Sequence, residues 1–470
     1  MSYSNSFDSP KNIHQTEATV VGSFTRTFFP RDLPFFFNKG ILIDRRNNTP
    51  MEMDAYSLYL ALKAIEQVDH VDYRAERKTI VDAVITRMQS CNGFWNHGAW
   101  TGSSKEVHMR FTSAALRLLI EALGDGLLEK PLVVLDAVKK HLSFTDELNC
   151  GTWFLHDSLE LAETGVPKPK GPDDPILNHA WGSSAINCMV LNTHVDTLAT
   201  MIYVLQHLEM GELDRQHLLS KVYSGLSALS TVLAPHKTLA GRCFARVDAI
   251  CRSYFFGNYF NRSLLARLLK RGLVTCYYPI RQRVRSWLPF YVFPDGYTER
   301  DISLYGLCFH YHVVNVFDLA RLLRQTIDAG VVMDDALHHR CRQIIDNGID
   351  YAVCSTYWNH LTTEMLKNGT AILLCEAILA RLGTLADHRL PQHWVHAYCV
   401  IRRSLPPTPA ILGYDPFIVQ TKEPGLKCAD GWDAVCLRNG ARLEIDLVHE
   451  RAVISSQPGG ASIPIANLAT

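Results

Sequence analysis

LYGLCFHYHVVNVFDLARLLRQ, residues 304–325, repeats its apolar side chains at intervals of three and four, the period of a helix with a buried face. The same period runs through MEMDAYSLYLALKAIEQV, VHMRFTSAALRLLIEAL, NTHVDTLATMIYVLQHL and TEMLKNGTAILLCEAILARL, with Gly, Pro and Asn at the breaks. About a dozen such segments fill residues 51–405. They share no fixed-letter repeat of the kind that builds TPR or HEAT arrays. Paired helices joined by aromatic, polar loops point instead to a mainly α protein, an (α/α) toroid whose loops meet around one cleft. After Pro406, Pro407 and Pro409 the period shortens. CADGWDAVCLRNGARLEIDLVHERAVISSQPG alternates between NG and PGG turns, which predicts a small antiparallel β appendage within residues 406–470. Residues 1–50, with FFPRDLPFFFNKG, read as an irregular arm packed by its phenylalanines.

The 470 residues carry 47 Lys and Arg against 47 Asp and Glu, and 47% are hydrophobic, which excludes a disordered or collagen-like chain. Zero net charge argues against a protein that coats nucleic acid, since that binding needs a surplus of cations. No run reaches the roughly 18 apolar residues of a membrane span, and MSYSNSFDSPKNIHQ lacks the basic and apolar regions of an export signal. The expectation is a soluble, cytoplasmic protein with no membrane contact. Thirteen cysteines stand singly, with no CxxC pair, as reduced thiols do in a reducing compartment.

The neutral total conceals one asymmetry. Between Asp248 and Asp295 there is no acid, whereas Arg252, Arg262, Arg267, Lys270, Arg271, Arg281, Arg283 and Arg285 supply eight cations among aromatic residues such as Tyr254. Cations hold carboxylate or sulfate groups and aromatic rings stack on sugar faces, so the pattern suits an anionic oligosaccharide. Single-stranded nucleic acid would use the same combination, but the balanced total sets it aside. No P-loop, GxGxxG turn, GxSxG elbow or HExxH pair is present. The adjacent acids Asp173 with Asp174, and Asp334 with Asp335, fall in a linker and at a helix start, where they need no catalytic role.

FPDGYTERDISLYG, with a DG turn and then Tyr305, resembles the catalytic segment of toroidal polysaccharide lyases of the hyaluronate/chondroitin lyase and heparinase type. FGNYFNRSLLARLLKRGLVT is similar to that family's helix-start segment, and Asn258 falls on its substrate-contacting asparagine. GTWFLHDSLEL is similar in character to its Trp-rich cleft segment. The matches cover about a third of the chain. The resemblance implies β-elimination from a uronic-acid-containing polysaccharide or oligosaccharide, without cofactor or metal. Asn258 would hold the carboxylate, Tyr305 would move the proton, and Arg300 would tune the tyrosine. Trp153, His156, His179, Arg252, Tyr254, Tyr297 and Glu299 are the expected substrate contacts.

One feature departs from the family. Its hyaluronate lyases carry a histidine between the DG and the Tyr, where this chain has Glu299, Arg300 and Asp301. His194, His179 and His156 are the expected substitutes, with His194 placed among the catalytic residues. His310 and His312 form an HxH pair without a carboxylate at metal-ligand spacing, so no metal is expected. The Trp/Asn/His loops around Asn96 and His97, and around Asn359 and His360, suit sugar subsites. A uronate C5-epimerase, a glycoside hydrolase on the same scaffold and a non-catalytic binder of anionic glycans stand as alternatives.

Overall fold

The computed structural model describes, with short breaks, residues 35–50, 55–63, 72–95, 107–160, 180–302, 309–354, 371–382, 391–404 and 432–455. Its helices are α1 (Arg74–Ser90), α2 (Met109–Gly124), α3 (Pro131–Leu142), α4 (Leu191–His207), α5 (Glu212–Val232) and α6 (Leu239–Gly257). They continue with α7 (Leu264–Gly272), α8 (Tyr278–Trp287), α9 (Phe309–Asp328), α10 (Asp335–Cys354), α11 (Ala371–Leu382) and α12 (Gln392–Ser404). Among the described residues the protein is mainly helical, with three small antiparallel sheets.

Burial sorts the helices into two kinds. In α2, α4, α9 and α11 nearly every side chain is buried, charged ones included, and these four pack side by side in that order. A helix buried on all sides needs a second layer over it, and the next helix in sequence supplies it: α3 covers α2, α5 covers α4, α10 covers α9 and α12 covers α11. The architecture is thus a row of helical hairpins, each with an inner and an outer member.

Two of these hairpins share a device that the chain does not spell in matching letters. In the first, the backbone N–H of Phe154 donates to Nδ1 of His194 on α4 at 3.1 Å, and Nε2 of the same ring donates to the carbonyl of Gly225 on α5 at 3.2 Å. In the second, Thr298 N–H donates to Nδ1 of His312 on α9 at 3.0 Å, and Nε2 donates to the carbonyl of Gly348 on α10 at 3.0 Å. Each accepting Nδ1 fixes the tautomer, a neutral ring protonated on Nε2. A positive-φ glycine completes each clamp. Gly151 (φ +137°) presses on the carbonyl of Ser224, and Gly296 (φ +92°) presses on that of Asn347, in both cases the residue just before the clamped glycine.

Burial pushes His194 and His312 down to about 3, and does the same to His141 on α3. The sign of the pH dependence follows from this depression. In the unfolded chain these rings bind protons near pH 6.5 and in the fold they do not, so the stability they support is complete above about 6.5 and is lost as pH falls towards 3. Each adds a slope of up to about 1.4 kcal/mol per pH unit in that window. Urea midpoints should therefore fall between pH 7 and pH 5, and His312→Gln should flatten part of the slope. A wild-type midpoint that does not move would contradict neutral burial.

Charged groups also tie the inner row together. Arg110 on α2 donates to Asp318 on α9 at 2.6 Å and to the carbonyl of Asn192 on α4 at 2.8 Å. Arg117 on α2 reaches Asp196 on α4 at 3.0 Å, and Arg321 on α9 binds Asp196 and Asp318. Burial alone would raise the Asp196 carboxyl, but Arg117, Arg321 and Arg110 outweigh it and hold Asp196 below the usual carboxylate range.

The sheets lie around these hairpins. β4 (Thr145–Leu148) and β5 (Gly151–Phe154) form the hairpin that leads to His156. β6 (Trp432–Cys436), β7 (Arg442–Asp446) and β8 (Arg451–Ser455) make an antiparallel sheet whose last two strands pack on α12. The arm read as irregular contains an antiparallel sheet of its own, with β1 (Phe35–Asn38), β2 (Ile41–Asp44) and β3 (Thr49–Pro50) in sequence order. Three of its phenylalanines, Phe35, Phe36 and Phe37, fall on β1 and pair with Asp44, Ile43 and Leu42. A hydrophobic run this short is equally compatible with strand and loop, and its period does not separate them.

Candidate functional site

The N-terminal ends of α2, α4 and α9 are joined by hydrogen bonds between the segments that lead into them. Met109 N–H donates to the carbonyl of His156 at 3.0 Å, Ser158 N–H to that of Val107 at 2.9 Å, and Leu191 N–H to that of Arg300 at 2.8 Å. Tyr291 adds its hydroxyl to the Met189 carbonyl. Segments 107–109, 155–160, 187–191 and 298–301 thus meet at one end of the inner row, and polar groups gather there.

His156 is half-buried, its Nδ1 lies 2.7 Å from the Thr193 hydroxyl, and its ring meets that of His108 edge-on at 4.4 Å. Arg300, also half-buried, is anchored by Asp301 at 2.6 Å, donates to the Tyr311 hydroxyl at 3.1 Å and lies over the Tyr311 ring. Burial lowers the His310 imidazole, and the Arg300 charge beside it adds to the effect. Glu160 supports this assembly from within: its two carboxylate oxygens accept the backbone N–H groups of His156 at 2.6 Å and Cys188 at 2.7 Å. Burial, with Asp157 beside it, pushes Glu160 above the usual carboxylate range, against the two backbone N–H groups that favour its charged form.

Several residues expected to touch substrate lie in the core instead. Trp153, Arg252, Tyr297 and Glu299 have essentially no exposed surface, and neither does His194, which stacks on Trp153 at 3.9 Å with both nitrogens committed to the backbone. His194 therefore holds α4 to α5 and has no face to offer a sugar. The arginines of the acid-free stretch divide in two. Arg252 binds Asp248 and both oxygens of Asp295 at 2.7 Å, and Arg281 binds Asp248 at 2.6 Å and Glu299. Arg285 donates to the carbonyls of Phe290 and Asp301, each at 3.0 Å. The acids that bound the stretch in sequence neutralise its buried cations, so that charge does not face a ligand.

Asn258 caps the C-terminal end of α6 and does not sit at a helix start: its amide donates to the Tyr254 carbonyl at 3.0 Å and its oxygen accepts from Asn261 at 3.1 Å. Both Asn258 and Tyr254 are half-buried. Phe256, two residues earlier, packs on Phe309, the first residue of α9, which brings this end of α6 towards the same mouth. Tyr305 and His179 lie outside the described residues, as do Asn96, His97, Asn359 and His360.

The assembly thus retains His156 and Arg300 from the sequence reading and adds His108, Glu160 and Tyr311, while Asn258 stands at the end of α6 with its amide bonded to Tyr254 and Asn261. Glu160 stands within the GTWFLHDSLEL segment and Tyr311 within the helical stretch 304–325, but only burial and partners distinguish them from neighbouring polar residues. Among the described residues one group has metal-ligating character, Asp350 and Cys354 on α10 with His393 on α12, with ligand atoms within 4.8 Å of one another. There the Asp350 carboxylate accepts hydrogen bonds from His393 and from Trp394, each at 2.7 Å.

No known family model matches the chain, and no characterised protein or solved structure shows significant similarity to it.

Proposed function

We propose that the protein is a lyase that cleaves a uronic-acid-containing polysaccharide or oligosaccharide by β-elimination, with its helical hairpins arranged as an (α/α) toroid around the cleft. The observation that supports this reading is the half-exposed set of His156, His108, Arg300 and Tyr311 at one end of the buried helices, where a cation, imidazoles and a phenol come together. Arg300 and the amide of Asn258 would hold the uronate carboxylate and stabilise the charge that builds on it as the C5 proton leaves. Tyr305 takes that proton, the C4–O bond breaks, the electron pair of the C5–H bond becomes the C4=C5 double bond, and the leaving oxygen is protonated. His156 is the donor for that last step: it stands half-buried in this set, whereas His194, also expected there, is sealed in the core.

The test is a panel of anionic polysaccharides followed by ultraviolet absorbance of the unsaturated uronate. Tyr305→Phe is expected to abolish turnover while substrate binding persists, and Arg300→Met to lower kcat/KM by about 100-fold or more. Saturated new chain ends would identify a hydrolase, and unchanged chain length with inverted C5 an epimerase. Full activity in Tyr305→Phe would overturn the assignment.

A further inference from the structure

Helix α7 is built inside out. Leu264, Leu265, Leu268 and Leu269 fall within an arc of about 140° on its surface, and they are 72%, 68%, 58% and 46% exposed, while Ala266 opposite them is 3% exposed. Lys270 secures the inner side, donating to the carbonyls of Asn258 at 2.8 Å and Asn261 at 3.2 Å. The protein grips this helix by its polar side and turns its leucines outward, against the usual arrangement of an amphipathic surface helix.

Such exposure is concentrated in this stretch of the chain. Of the fourteen large hydrophobic residues exposed among the described residues, nine lie between Leu239 and Ile280. Single exposed apolar residues are ordinary, but a gathering of this kind marks an interaction surface. The surrounding charge has one sign. Arg262, Arg267 and Arg271, just before or on α7, are exposed, and from residue 234 to residue 294 the one acid is Asp248, buried in its bonds to Arg252, Arg281 and Tyr277.

We propose that this face seats on an anionic lipid bilayer. Its leucines enter the boundary between headgroups and acyl chains, and its arginines meet lipid phosphates. A second copy docked through the same helix would set Arg267 and Arg271 against their own counterparts, with no acid on α7 to relieve the repulsion. The occupant must be apolar and negative together. Four leucines projecting as a ridge are more easily surrounded by fluid acyl chains than matched by a rigid partner. No described helix is long and apolar enough to cross a membrane, so the contact is with the surface. The expectation of no membrane contact rests on the lack of a spanning run, a criterion blind to a helix lying in the interface. This inference is independent of the reaction proposed above.

Co-sedimentation of the full chain with vesicles tests it. Binding is expected to vesicles of phosphatidylcholine mixed with phosphatidylglycerol, not to phosphatidylcholine alone, and should weaken as salt rises. The double variant Leu265→Ser/Leu268→Ser should lose about tenfold or more of that binding with an unchanged thermal midpoint, because both side chains are already in water. Arg267→Gln/Arg271→Gln should lose the preference for anionic vesicles. The proposal is overturned if the wild type does not bind the anionic vesicles or if the leucine variant binds them equally well. It is also overturned if the leucines drive self-association or capture of an acidic protein in place of lipid binding.

Discussion

Gly296→Ala and Gly151→Ala are each expected to destabilise the protein by about 3–5 kcal/mol, near the upper end of single-substitution effects. Two costs combine. A residue with a β-carbon is strained at φ +92° or +137°, and the new methyl group would overlap the carbonyl oxygen of Asn347 or Ser224, backbone atoms of a helix that cannot turn aside. Gly330 provides the control within the same chain. Its φ is +67° and nothing lies near the position of an added β-carbon, so Gly330→Ala should carry the conformational cost alone, about 1–2 kcal/mol. Urea unfolding of the three variants measures the difference. Equal losses at Gly296 and Gly330 would show that the close approach to α10 is not as described.

Asp196→Asn is expected to cost about 3–5 kcal/mol, because it leaves Arg117 and Arg321 buried beside a group that cannot balance them. The substitution scarcely alters shape, so the loss reports charge rather than packing. Adding Arg321→Met should recover part of it, since one uncompensated cation disappears with its partner. If the two substitutions cost as much together as the sum of each alone, the network is not coupled through Asp196.

Periodicity in residues 304–325 was sufficient to read a buried helix, and the change of pattern after Pro409 was sufficient to read short strands. Ion pairing was the harder matter. A window from residue 249 to 294 contains eight cations and no acid, yet Asp248 and Asp295 stand just beyond its two edges, and Glu299 reaches Arg281 across 18 residues. Charge counted along a chain ignores partners that folding brings from outside the window. The histidine clamps were invisible for a related reason: His194 and His312 acquire their meaning from Gly225 and Gly348, whose spacing from them differs, 31 residues in one hairpin and 36 in the other. Trp153 and Tyr297 have the side chains that line sugar clefts, and an aromatic ring in a core has the same ones. Exposure decides between the two settings, and it is a property of the assembled helices.

The two clamps also differ from the ionic network in how far along the chain they reach. Each clamp is closed by contacts 14 to 40 residues apart, whereas Arg110 and Asp318 are separated by 208. Short loops cost less entropy to close than long ones. Each hairpin can therefore organise around its own histidine as a local folding unit. The long-range ion pairs, by contrast, join one hairpin to another.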